Sequence, residues 1–522
     1  MRNTMPDSRF PVPLTNENAN KGVPFVEAVV EKAPPWLFSA ALHLVLMIVL
    51  ALLVSQIPPS LTRELIVQSV VVELDDAPVF SHKIGDPEQP VSVMTGNDSF
   101  VEAISNSVLS PNNVGDEGDP INEWPEIDDP YAMGFGTENS ERAPVHSLID
   151  GRDPNVRRTA MFSGGGTETT EMAVLKGLRW LAWQQYAKGY WSLRRGPRGN
   201  SYDATGVDNW VAATGLALLA FQGHGETTER GEFKDNVKKG WAWLLEQQED
   251  DGCFYRPEKR TSEDRNHPLY THGICTIAIC ELYAMTRDPV LKEQLRLPAQ
   301  KAIDYCVKTQ TSSGGWKYGL NNDQSDLSVT GWIVMALHSG RIAGLEVPQE
   351  TLDRVMEFLD DVSEAGSKYL YEKESRAPTR SMTAEGLLCR QILGWDRDDP
   401  RLLEGANWLI QPENLICFTG RDEMGRRNPR DVYYWYYATL MFHNLGGRHW
   451  NTWNNTMMQR VCENQQRNPG ENEGSWSPVN SLKPATSTQD IYASEGRLYV
   501  TCLSIYMLEV YYRHLPLYRA VR

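Results

Sequence analysis

Four carboxylates, Asp326, Glu385, Asp431 and Glu495, fall at or near the starts of apolar helical stretches, where the positive end of a helix favours an acid. Capping is one use of such residues. If those starts converge at one mouth of an assembly, the same residues form an acidic rim, able to hold protons or a ligand. Beside them stands an aromatic set. Tyr433, Tyr434, Trp435, Tyr436 and Tyr437 are consecutive and so point all round one helix, while Trp210, Trp332, Tyr499 and Tyr506 sit on other apolar helices. Aromatic walls suit an apolar ligand and stabilise a cation; their other use is packing between helices. Tyr433, Tyr434, Trp435, Tyr437, Trp332 and Tyr499 are the candidate ligand contacts.

The elements that must position these residues repeat. KGLRWLAWQQYAKGYW (176–191), KGWAWLLEQQEDDGCF (239–254) and KAIDYCVKTQTSSGGW (301–316) share one register, a basic residue and a small one, an aromatic three later, then Gln185, Gln248 or Gln310, and a closing Gly with Trp or Phe. VCENQQRNPGENEGSW (461–476) keeps the pattern with a longer loop, whereas 352–361 and 403–410 keep the helix without the glutamine turn. Each copy is followed by a more apolar helix. Gly215, Gly273, Gly331 and Gly386 lie 58, 58 and 55 residues apart, so a period holds two helices, and a glycine at a shared helical position allows close packing. Six hairpins, each with a polar-faced outer and an apolar inner helix, bury the inner set by closing into a double ring; an open solenoid is the alternative. The expected fold is all-α.

The Lys/Arg-Gly/Ala, aromatic, Gln, Gly-x-Trp string resembles the QW repeat of squalene-hopene cyclases and other terpene cyclases, which share an α/α toroid superfamily with protein prenyltransferase β subunits. The likeness covers residues 171–522. The entire chain looks like a group of bacterial membrane-anchored proteins with prenyltransferase/squalene oxidase repeats.

The resemblance implies an Asp-x-Asp-Asp-Thr-Ala motif whose middle acid protonates an alkene. Laid on that motif, 326–337 puts Asp326 on the first acid but Ser328 and Val329 on the next two, so the usual proton donor is missing. Asp396-Arg397-Asp398-Asp399 matches the acids literally, but it precedes Pro400, as a helix cap does. Asp360-Asp361 with Glu364 echoes a diphosphate-metal motif at a helix end, where a solvated acidic terminus is the plainer reading. Prenyltransferases hold zinc through Asp-x-Cys and a later His, so Asp251, Cys253 and His272 are a weak alternative metal set; their place in a glutamine turn is wrong for it, and no cofactor is expected. The eight cysteines offer no CxxC framework and are expected as thiols, six of them in apolar helices.

The net charge of −17 is uneven: residues 59–170 carry 20 acidic against six basic residues, a net of −14. With a pI near 5.2 and no basic stripe, nucleic acid is not an expected partner. Trp36–Ile57 contains no Asp, Glu, Lys or Arg and is long enough to cross roughly 30 Å of hydrocarbon. Four basic residues precede this span and Arg63 alone follows it closely, so the positive-inside bias leaves the N-terminus in the cytoplasm. The expected plan is a cytoplasmic tail (1–33), an anchor in the cell inner (cytoplasmic) membrane (34–58), an acidic spacer with a short strand near 64–74 (59–170), and a periplasmic toroid (171–522). Gly164-Gly165-Gly166 lacks the Gly-Lys-Ser/Thr of a phosphate loop and is read as a flexible hinge.

The expected function is therefore that of a single-pass membrane protein displaying a toroid that binds an isoprenoid-like ligand or a partner protein. An enzyme of the cyclase or prenyltransferase type with atypical acid or zinc residues is the alternative. A glycan-active toroid is the third reading, since helical double rings also pair carboxylates with aromatic platforms.

Overall fold

The computed structural model describes residues 145–204, 206, 208–255, 267–319, 323–421, 424–479 and 490–518. The chain divides into two units, Met1–Asn112 and Asn113–Arg522, and every described residue belongs to the second. The expected membrane span and the strand near 64–74 lie outside the described residues; among the described ones no helix is long and apolar enough to cross a membrane.

A 3-10 helix, Val145–Arg152, leads into α1 (Pro154–Ser163). Six hairpins follow in which outer and inner helices alternate: α2 (Glu168–Trp183) and α3 (Trp210–Gly223), α4 (Lys234–Leu245) and α5 (Pro268–Met285), α6 (Pro289–Lys308) and α7 (Leu327–Ile342). The second half continues with α8 (Gln349–Asp361), a two-stranded ribbon of β1 (Ser363–Glu364) and β2 (Lys368–Tyr369), α9 (Arg380–Ile392), α10 (Pro400–Leu409), α11 (Val432–Leu445), α12 (Gly447–Glu463) and α13 (Gly496–Leu508), and ends in α14 (Val510–Arg513). The inner helices touch in the order α3, α5, α7, α9, α11, α13 and back to α3, so the ring is closed and the solenoid alternative falls. Their apolar surface drives this closure, since α3, α5 and α7 are buried on nearly every face.

The glutamine turns fasten the outer layer. Gln185 Nε2 donates to the carbonyls of Gly189 in its own turn and Asn236 in α4, at 2.8 and 2.9 Å. Gln248 ties Gly252 to Pro298 of α6, and Gln310 ties Gly314 to Thr351 of α8. Gln465 reaches Gly474 and, at 2.8 Å, the Ala173 carbonyl of α2, joining the sixth repeat to the first. Trp191, Trp316 and Trp476 complete each turn by donating the indole N–H back to their own outer helix.

In four repeats a threonine on the following inner helix receives the backbone N–H of the turn aromatic: Thr214 from Trp191, Thr330 from Trp316, Thr383 from Tyr369, Thr501 from Trp476. This fixes the register and corrects one expectation. Gly215 and Gly331 directly follow that threonine, but Gly386 comes three residues after Thr383, so it faces the Tyr369 ring instead of the next inner helix. The shared position in α9 belongs to Ala384.

Residues 145–170, read from sequence as the end of an irregular spacer, are mostly helical and pack against α14. The 164–166 glycines are no hinge. Gly164 and Gly165 carbonyls accept from Trp450 and Asn454 at 2.9 and 3.0 Å, and a Cβ on Gly166 would lie 2.7 Å from the Tyr511 ring.

Candidate functional site

Contacts between helix starts show that the inner helices begin at one mouth: hydrogen bonds run from Asn209 to Thr271, Tyr270 to Ser328, Tyr433 to Ser328 and Ser381 to Asp431, and Tyr433 meets Tyr492 beside Tyr499 of α13. The expected convergence of acids is therefore present. Asp326 Oδ1 accepts from Val329 N at 2.9 Å and Asp431 Oδ1 from Tyr434 N at 2.9 Å, so both cap their helices as the plain reading held. Glu495 precedes α13 without a capping bond from its side chain and takes the Ser494 hydroxyl at 3.2 Å.

Glu385 differs from all of these. It lies in the second turn of α9 and is fully buried, and its two oxygens accept from one phenol, Tyr433 Oη, at 2.9 and 3.0 Å. The carboxyl fits beside Gly331, where a Cβ would stand 2.0 Å from Oε1. The same Tyr433 oxygen reaches the Ser328 carbonyl at 3.1 Å, and Ser328 Oγ donates to Asp326 Oδ1 at 2.7 Å. One network thus joins α5, α7, α9 and α11.

Burial, helped by the nearby Asp326 charge, drives the Glu385 pKa well above the carboxylate range against the opposing hydroxyls of Tyr433 and Tyr437. Asp326 and Asp431 are also raised by burial, and Asp490, buried beside them, rises to about 6. An acid whose folded pKa exceeds its unfolded value near 4.5 stabilises the fold fully below that value and loses its contribution as pH rises through the folded one. We expect Glu385→Gln to flatten part of the decline in stability as pH rises from the unfolded carboxylate value near 4.5 through neutrality. Urea midpoints across that range would check this, and an unchanged slope would contradict it.

The aromatic candidates divide. Tyr433, Tyr437 and Trp332 fill the ring axis together with Tyr436: Trp332 stacks on Tyr436 at 5.8 Å, Tyr436 meets Tyr506 at 5.6 Å, and Tyr433 packs on Tyr437 at 4.8 Å. Tyr434 and Trp435 point the other way, against Trp453 and Phe418. All of these are buried. Tyr499 is half-buried at the mouth, where it neighbours Tyr492, and Tyr492 covers Tyr433 at 5.2 Å. The sequence reading missed Tyr270, Tyr318, Tyr371 and Tyr492, which complete this half-buried tyrosine rim. Tyr270 was legible in principle as a polar-tipped aromatic two residues after the Pro268 that opens α5.

At the opposite mouth the 3-10 helix and the chain's tail form a plug. Beneath it is a cavity of about 50 Å³ lined by Glu281, His338, His443, Asn444, Arg513 and His514 among apolar neighbours. A ligand pocket commonly measures about 300 Å³ or more, so this one holds a few waters at most.

Asp251 and Cys253 make contacts within their own turn, where Asp251 Oδ1 accepts from Cys253 N and Cys253 Sγ donates to the Tyr255 carbonyl. His272 Nδ1 accepts from Phe254 N at 3.4 Å and Nε2 donates to the Ala302 carbonyl at 3.0 Å, so both ring nitrogens are used by backbone. Here the imidazole replaces the threonine of the other repeats, and burial lowers its pKa to about 4. We expect His272→Thr to be tolerated and His272→Leu, which orphans the Phe254 N–H, to cost about 1–3 kcal/mol in denaturant unfolding. Among the described residues no group of three His, Cys, Asp or Glu could hold a metal ion. The other sequence echoes are structural too. Asp399 caps α10 through Arg401 N at 2.9 Å, Asp360 pairs with Arg390, and Asp361 with Lys373 at 2.9 Å. All eight cysteines are free thiols.

No family model matches the chain. A terpentedienyl-diphosphate synthase from Kitasatospora griseola is 25% identical over 170 residues, which is 32% of this chain and 30% of that protein's length. Among solved structures, a type II terpene cyclase from Scytonema is 13% identical over 66% of this chain and 98% of its own, with a TM-score of 0.40. An α-1,6-mannanase of Salegentibacter is 12% identical over 66% and 99%, with a TM-score of 0.42. The glutamine turns, the closed double ring and the sequence match make the helical part of this chain a terpenoid cyclase-like α/α toroid.

Proposed function

We propose that this toroid is a recognition module that binds a partner protein at the mouth formed by the starts of its inner helices. The observation that carries this reading is the filled axis. In the space where an apolar substrate would have to lie, Trp332, Tyr436, Tyr437 and Tyr506 pack on one another. Ser328 also stands where the cyclase resemblance calls for the proton-donating acid, and its hydroxyl serves Asp326. In this reading residues 36–57 hold the ring at the inner membrane, facing the periplasm.

One observation favours a second reading, acid catalysis: Glu385 is a fully buried carboxyl met by the Tyr433 hydroxyl, and burial pushes its pKa well above the carboxylate range. The test is to incubate the purified full chain with geranylgeranyl diphosphate and with squalene, following products by mass spectrometry and retained lipid by native mass spectrometry. Recognition predicts neither turnover nor a lipid adduct. A product that disappears in Glu385→Gln would replace it with the catalytic reading, and a lipid adduct alone would return the isoprenoid-binding one.

A further inference from the structure

The two mouths treat their acids differently. At the plugged end, Glu281 is neutralised by two arginines. At the other, Asp326, Glu385, Asp431, Asp490 and Glu495 gather with no cation within 4.0 Å among the described residues. The basic groups nearby make their direct contacts elsewhere, although the charges of Lys317, Arg380 and Arg430 reach Asp326, Asp431 and Asp490 and partly oppose the effect of burial on them. Lys317 pairs with Glu372 at 2.8 Å, Arg380 donates to Asn428 at 2.8 Å, and Arg430 to the Ser477 carbonyl at 2.7 Å.

A second observation points to a missing donor. Asp326 is completely buried; Oδ1 takes Val329 N and the Ser328 hydroxyl, while Oδ2 accepts no hydrogen bond within 3.5 Å, the Tyr371 hydroxyl beside this carboxyl being directed to Tyr318. A buried acceptor without a donor is costly, and a bound N–H would relieve it. The rim above it is made of tyrosine faces, Tyr270, Tyr318, Tyr371, Tyr492 and Tyr499, all half-buried, and such faces attract cations.

We propose that this mouth binds the guanidinium or ammonium of a basic side chain on the partner, a conclusion that rests on the recognition reading and names its chemistry. The cation sits against the tyrosine rim and donates toward Asp326 and Glu385. Its arrival favours the ionised carboxyls, so Glu385 gives its proton to solvent as the ion pair forms, and binding tightens as pH rises. His267, exposed at the same mouth and near Glu495, opposes the cation when protonated and so adds to the trend at low pH.

The test is calorimetry on the full chain in detergent at about 0.15 M salt, where long-range screening suppresses attraction by net charge alone. The probes are tetra-arginine amide and, as a control, tetra-glutamate amide. The expected result is saturable one-to-one binding of tetra-arginine only, tighter at pH 8 than at pH 6, weakened at least tenfold by Asp326→Asn with Glu385→Gln, and unchanged by Glu357→Gln on an outer helix. Tyr492→Leu with Tyr499→Leu gives a second route at the rim should the acid variant fold poorly, and it too should weaken binding. Equal binding of both peptides, binding indifferent to the mouth variants, or an equal loss with Glu357→Gln would overturn the inference. No peptide binding together with no isoprenoid turnover sinks the cation site alone; turnover of geranylgeranyl diphosphate sinks the recognition reading beneath it.

Discussion

Replacing Glu281 with alanine should destabilise the toroid by about 3–5 kcal/mol, the usual consequence of deleting one partner of a buried ion pair. Glu281 accepts both Arg152 nitrogens, at 2.8 and 2.9 Å, and lies 3.5 Å from Arg513 and 3.2 Å from His514. Arg152 Nε also donates to the Arg513 carbonyl at 2.6 Å, so this carboxylate holds the chain's entry to the ring, α5 and α14 together. Its removal leaves the Arg152 guanidinium buried without its carboxylate partner and leaves Arg513 with Glu509 alone. Burial raises the Glu281 pKa, but the charges of Arg152 and Arg513 outweigh that and pull it well below the carboxylate range. Its stabilisation is thus present above the unfolded value near 4.5 and fades as pH falls through the folded one. The variant should lose most at neutral pH and approach the parent at strongly acidic pH. Urea unfolding at pH 7 and in acid checks both statements, and a loss independent of pH would point to packing instead of charge.

The second large effect should come from Gly474→Ala. This glycine has φ +86°, and a Cβ there would stand 2.3 Å from the Lys176 carbonyl of α2. Gly199 serves as the control because it has nearly the same φ, +84°, with no atom within 4 Å of the added carbon. Gly199→Ala should therefore cost only the left-handed backbone term, about 1–2 kcal/mol. Gly474→Ala should cost clearly more, because the clash is with backbone that also carries the Gln465 link to Ala173. Equal losses in a denaturant comparison would mean that the closing turn shifts freely.

The glutamine turns were legible because each is written in one contiguous string and its partner is the next copy of that string. Asp326 and Asp431 were legible as caps for the same local reason. Glu385 carried a misleading position, since Gly386 invited alignment with Gly331, while the hydrogen bond to Thr383 places the register two residues earlier. The tyrosine run gave the axis but not its contents: five consecutive aromatics must point everywhere, and only packing decides that Tyr436 faces Trp332 while Trp435 faces Phe418. The plugged mouth was invisible because it unites Arg152, Glu281 and Arg513 across as many as 361 residues. Its one trace was a lone acid, Glu281, inside the otherwise apolar α5, a residue that buried helices do not carry without a partner. The lead was misread for the same reason, as residues 145–170 order on the far end of the chain.

The link from Gln465 to α2 sets the order in which the molecule can be made. The ribosome delivers α2 first among the repeats, yet its covering neighbours, α12 and α13, come last. Until they emerge, the nascent chain is an open arc whose first inner helix, α3, has one apolar flank unclosed, and the pairing that seals it spans 292 residues. Contacts of such sequence separation are slow to form, and the uncovered flank meanwhile is a surface on which two unfinished chains can associate. Closure of the ring therefore waits until α12 and α13 have emerged to cover α2 and α3.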